Sequence, residues 1–142
     1  MSVAGFDHVA IPVEHIDAMK EFYRALGFQI NASDATRSRP VPLFSVQFGD
    51  NKINMHEPAL WQDPAFSLRG HTARPGCGDF CFVWSGSVEQ IGQLLERIGA
   101  PIEVGPVRRV GGRDGGLAKG TSVYTRDPDA NLLEFIVYGP DA

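Results

Sequence analysis

The chain has 142 residues, with 13 Lys and Arg against 17 Asp and Glu and a formal net charge of −4. That length suits one compact domain with a core that needs no disulfides, and 43% hydrophobic with 21% charged residues excludes collagen-like, disordered and disulfide-scaffold classes. The basic residues are dispersed and no long apolar span or basic-then-apolar leader occurs, so neither a nucleic-acid partner nor a membrane is expected, and the cytoplasm is the expected location.

In chain order, Phe6 to Val13 reads as a strand ending near Pro12. Asp17 is a candidate N-cap for a helix from Ala18 to Leu26, in which Met19, Phe22, Tyr23 and Leu26 recur at helical spacing, and Gly27 stops it. Short strand patterns follow at Phe28 to Asn31, Leu43 to Phe48 and Lys52 to Glu57, with Gly49-Asp50-Asn51 as the turn between the last two. Residues 58–75 keep no period and read as a surface linker.

The pattern then restarts. Gly76 to Trp84 reads as a strand, and Ser87 with Gln90 forms a capping-box signal for a helix through Ile91, Leu94, Leu95 and Ile98, ended by Gly99. Ile102 to Val104, Thr121 to Arg126 and Leu132 to Tyr138 read as strands, the last two joined by the turn Asp127 to Asn131. Between Val104 and Thr121, the segment Arg108 to Gly116 is glycine-rich without the spacing of a phosphate-binding loop, and reads as a mobile flap. Cys77 and Cys81 are too few for a disulfide framework and read as buried or partly buried thiols; His15 and His71 read as surface residues.

Each half is strand, helix, three strands, so the expected fold class is α+β: two tandem βαβββ modules, 5–57 and 76–138, joined by linker 58–75 in a single domain 1–142. Residues 5–13 fall on 76–84, Ala25 to Ile30 on Arg97 to Ile102, and Lys52 to His56 on Asn131 to Glu134. The duplication matches His8 with Asp79 on the first strands and His56 with Glu134 on the last, and all four are possible metal ligands. Glu134 lies between Leu133 and Phe135 in a strand otherwise without charge, and a buried lone carboxylate needs a cation or hydrogen bonds to compensate it.

This arrangement resembles the vicinal-oxygen-chelate (glyoxalase/bleomycin resistance/extradiol dioxygenase) superfamily over essentially the whole chain. The resemblance rests on residues 8–13, 22–28 and 126–134, and Asn54 to Glu57 and Glu103 to Val107 are similar to segments of small glyoxalase-domain proteins. It implies a half-open, cup-shaped sheet and one divalent metal ion (Fe, Mn, Ni, Co or Zn) held by His8, His56 and Glu134. It also implies a small oxygen-rich substrate and a homodimer with shared sites. Asp79 stands where histidine is usual and is read as a fourth ligand, a second-layer acceptor, a base or a plain turn aspartate.

The reaction so implied is that of a lyase or isomerase, with Glu134 moving a proton beside a metal-stabilised enolate, Asp79 and Tyr124 as further catalytic candidates, and Arg109 as receptor for an anionic substrate. One alternative is an extradiol-type dioxygenase, suggested by Tyr124, the Asp127-Pro128 turn and Glu134. It departs from that pattern in having Ala130 for glycine and no histidine at the signature's distance before Tyr124, where Ala118 and Lys119 stand. The other is a metal-free, bleomycin-resistance-like binding protein using Trp61, Phe66 and Trp84.

Overall fold

A computed structural model of the chain describes residues 1–32, 41–140 and 142. They form two units, Met1–Cys77 and Gly78–Ala142, each with its own four-stranded sheet.

In the first unit the elements are β1 (His8–Pro12), α1 (Ile16–Ala25), β2 (Gln29–Ala32), β3 (Leu43–Phe48), β4 (Asn51–His56) and a short α2 (Pro58–Trp61). The sheet order is β1-β4-β3-β2, with β1 parallel to β4 and the other pairs antiparallel. Helix α1 starts earlier than its sequence suggests. His15, not Asp17, takes the N-cap position, without a side-chain cap, and Asp17 sits in the first turn, where its charge favours the helix dipole. Met19 and Tyr23 on α1, one turn apart, are fully buried together with Phe44, Val46, Ile53 and Met55 of the sheet. Burial of each such side chain contributes about 1.5–3 kcal/mol.

In the second unit the elements are β5 (Asp79–Val83), α3 (Val88–Arg97), β6 (Val104–Val110), α4 (Arg113–Gly116), β7 (Lys119–Arg126) and β8 (Leu132–Val137). The order β5-β8-β7-β6 repeats the first sheet, again with the first strand parallel to the last. The capping box is present as read: Ser87 Oγ accepts from Gln90 N at 3.2 Å and Gln90 Oε1 from Ser87 N at 2.9 Å. Ile91 and Leu95 of α3 are fully buried, with Val123, Leu133 and Phe135 from the sheet.

Two segments differ from the sequence reading. Residues 58–61 of the linker form a helical turn begun by a proline at its first position. Arg108, Arg109 and Val110 belong to β6 rather than to a flap, because the strand runs through Gly105-Pro106 by a register shift between Val104 and Val107. Gly105 is required there: its φ is +110° and a Cβ would press on the Ser122 carbonyl. Among the described residues no helix is long and apolar enough to cross a membrane.

Candidate functional site

Strand neighbours alternate between faces and cross-strand partners share one. One face of the first sheet therefore carries His8 and Ala10 on β1, Lys52, Asn54 and His56 on β4, and Ser45 and Gln47 on β3. The matching face of the second carries Asp79, Cys81 and Val83 on β5, Leu132, Glu134 and Ile136 on β8, and Ser122 and Tyr124 on β7. The opposite faces hold the apolar cores, so both units present a polar face of strand-held side chains.

Register now defines the repeat more sharply than sequence alignment. His8 pairs with Lys52 and Asp79 with Leu132, so the residue of the first sheet equivalent to Glu134 is Asn54, two positions on. His56, which the alignment had matched to Glu134, lies a further two positions along β4, opposite Pro12. At about 3.3 Å per residue, His8 and His56 are offset by roughly 13 Å along the strands, whereas His8 and Asn54 are offset by roughly 7 Å. The structure therefore does not bring His8 and His56 together. Among the described residues no three His, Cys, Asp or Glu side chains cluster as a metal site.

Each predicted residue has a definite setting. The His8 side chain is half exposed, and its Nδ1 lies 2.5 Å from Asp7 Oδ1. His56 is buried, edge-on to Phe66 with ring centroids 5.3 Å apart. Burial, and then the charge of Arg69, hold its imidazole below the ordinary histidine range, so it is neutral at pH 7. Asp79 is exposed at the start of β5.

Glu134 is the centre of the second polar face. Ser122 Oγ donates to its Oε1 at 2.5 Å, Tyr124 faces it across β7–β8, and Cys81 pairs with it from β5. Burial first, then Glu134, push the Tyr124 phenol above the usual tyrosine range, although Arg109 Nε donates to its oxygen at 3.1 Å. The Arg109 guanidinium also lies 5.6 Å from the Tyr124 ring centroid. The Cys81 thiol is pushed up to about 12 by burial, by the Glu134 charge and hydrogen bond, and by Asp79. Cys77 and Cys81 are exposed as whole residues, against the expectation of buried or partly buried thiols, but the Cys81 thiol itself is partly buried, and it is protonated rather than a nucleophile.

Three residues were missed in the sequence. Ser122 and Cys81 look like ordinary strand residues, and Asn54 looks like part of a polar strand end. Asn54 Oδ1 is buried with no hydrogen-bond partner among the described residues. Such an orphaned acceptor calls for a donor or a cation.

The family model for the glyoxalase/bleomycin resistance protein/dioxygenase superfamily matches residues 5–135. The chain belongs to this superfamily. Glyoxalase domain-containing protein RDO1 of Mycosarcoma maydis is 30% identical over 97% of this chain and 70% of its own length. The crystal structure of virulence protein STM3117 from Salmonella typhimurium is likewise 30% identical, with a TM-score of 0.79 over 98% of this chain and 100% of that one. The fosfomycin resistance protein FosX of Listeria monocytogenes, solved with Mn(II) and sulfate, shares the fold at 17% identity and a TM-score of 0.61, covering 98% and 94% of the two chains. The α+β class and tandem βαβββ pattern are those of this superfamily.

Proposed function

We propose that the chain is a metal-dependent lyase or isomerase of the glyoxalase type, in which Glu134 moves a proton at a carbon next to a carbonyl. The observation that carries this reading is the setting of Glu134: a strand-held carboxylate on a polar face, one oxygen bound by Ser122, with a raised phenol beside it.

The donors suit a divalent ion. On the first unit His8 would supply an imidazole and Asn54 an amide oxygen without a partner among the described residues, and on the second Glu134 would supply a carboxylate; these are donor types taken by Mn, Fe, Co, Ni and Zn. Asn54 replaces His56 in this set because of its register beside His8. A bound ion would polarise a substrate oxygen and stabilise negative charge on it.

The protein's own groups divide the remaining work. Ser122 donates to Oε1 of Glu134 and so orients the carboxylate that accepts the proton. Tyr124, kept protonated by burial and by Glu134, donates to the developing oxyanion. Arg109, exposed and already engaged with the phenol, orients Tyr124 and receives an anionic substituent. A homodimer belongs to the same proposal.

The dioxygenase reading shares Tyr124 and Glu134, but all four histidines of the chain, at 8, 15, 56 and 71, precede the second unit. The lyase or isomerase is therefore preferred.

Metal content after repletion tests the proposal. About one equivalent per chain is expected, lost in both His8→Ala and Glu134→Ala while circular dichroism is unchanged. Exchange of α-carbon protons of small hydroxycarbonyl compounds in D2O is expected only in the metal-loaded protein. A repleted wild type without metal, indifferent to His8→Ala, would instead identify a metal-free binding protein.

A further inference from the structure

The segment that leaves β4 builds a cavity of about 340 Å³ lined by Trp61, Asp63, Phe66, Ser67, Arg69 and His71, among others. Its size lies at the lower end of the range for small-ligand pockets, roughly 300–1,000 Å³. Two aromatic rings and one guanidinium decide its chemistry. The Arg69 guanidinium lies 5.7 Å from the Trp61 ring centroid, its Nη1 donates to Trp61 O at 2.9 Å, and its Nη2 donates to Ala73 O. The Trp61 indole is fixed in turn by donating to Val13 O at 2.9 Å.

Arg69 is held in place by carbonyls, which orient it without neutralising it. No carboxylate among the described residues pairs with it, and its Nε is buried without an acceptor. The one carboxylate lining the cavity, Asp63, uses Oδ1 to cap Ala65 N at 2.9 Å. A partly desolvated guanidinium with N–H donors to spare favours a counter-anion, and a planar anion matches its fork. The rings of Trp61 and Phe66 favour a flat apolar body.

We propose that this cavity binds a small planar aromatic carboxylate, with its carboxylate at Arg69 and its ring against Trp61 and Phe66. The site uses first-unit residues only and stands independently of the metal proposal.

Benzoate is the probe, read by Trp fluorescence in a Trp84→Phe background so that Trp61 reports alone. Saturable quenching is expected, with affinity roughly tenfold or more above that for benzyl alcohol, which keeps the ring and drops the charge. Acetate, which keeps the charge and drops the ring, is expected to bind roughly tenfold or more weakly as well. Arg69→Gln and Phe66→Ala should each weaken benzoate about tenfold or more. Because Arg69 also ties down its own segment, amide chemical-shift mapping on the wild-type chain provides a measurement free of that variant. Shifts centred on residues 61–71 support the site. No saturation by about 10 mM benzoate, equal affinity for benzyl alcohol, or shifts centred elsewhere would each overturn it.

Discussion

Ser122 Oγ donates to Glu134 Oε1 at 2.5 Å, from a position on β7 that is fully buried. A carboxylate anchored this way, with Cys81 and Tyr124 also against it, suits a ligand or base better than a freely rotating group. Ser122→Ala removes the hydroxyl without creating a large void. It is expected to weaken Mn(II) affinity about tenfold and to cost about 1 kcal/mol of stability. Isothermal titration with Mn(II) and urea unfolding read the two effects; unchanged affinity would remove Ser122 from the site.

Cys81 reports on the same carboxylate. With its thiol pushed up to about 12, it carries roughly a thousandth of the thiolate of an unperturbed cysteine at pH 8. In metal-free Cys77→Ser protein, iodoacetamide should label Cys81 slowly at pH 8, with a rate that climbs steeply above pH 10. Glu134→Gln removes the charge that opposes the thiolate, and labelling should begin at lower pH. Labelling at pH 8 as fast as that of a free thiol would show that the thiol does not lie against Glu134.

His56 gives an acid limb to stability. Its folded-state pKa lies below the unfolded value because of burial and Arg69, so the unfolded chain binds the proton more readily. The contribution is full above about pH 6.5 and is lost as pH falls toward the folded value. The melting temperature should therefore drop between pH 7 and pH 5, with Arg69 as the charged neighbour. His56→Gln should flatten that slope, and a slope of the same size in the variant would assign the acid sensitivity elsewhere.

Much of this architecture was legible in local pattern. The Ser87 and Gln90 capping box, the helical spacing of Met19, Phe22, Tyr23 and Leu26, and the Asp127 to Asn131 turn are short-range signals, and the internal repeat follows from them. Asn54 was hidden because its importance lies in register. Only the parallel pairing of β1 with β4, a contact between segments more than 40 residues apart, shows that Asn54 rather than His56 corresponds to Glu134. Strand β6 was hidden because Gly105-Pro106 reads as a stop in one dimension, whereas the sheet absorbs it as a register shift. Arg109 consequently moved from a flap to a strand, where it meets Tyr124.

The turn before Glu134 carries its own strain. Asp127 organises it: Oδ1 accepts from Asp129 N at 3.0 Å and Asn131 N at 2.9 Å, and Oδ2 from Asn131 Nδ2 at 2.8 Å. Asn131 Oδ1 then accepts from Gly78 N at 2.8 Å, tying the turn to the residue preceding β5. Within this frame Ala130 is forced to φ +68°, a left-handed conformation that costs a residue with a Cβ about 1–2 kcal/mol and glycine almost nothing. Glycine would return part of that gain through the greater entropy of the unfolded chain, about 0.4–1 kcal/mol. Ala130→Gly should still stabilise the protein by roughly 0.5–1 kcal/mol, seen as a rise of about 1–4 °C in melting temperature. Asp127→Ala, which leaves three donors without their acceptor, should lower stability by about 2–3 kcal/mol. Paired thermal melts of the two variants check the assignment, and a destabilising Ala130→Gly would show that the Cβ makes contacts outweighing its backbone strain.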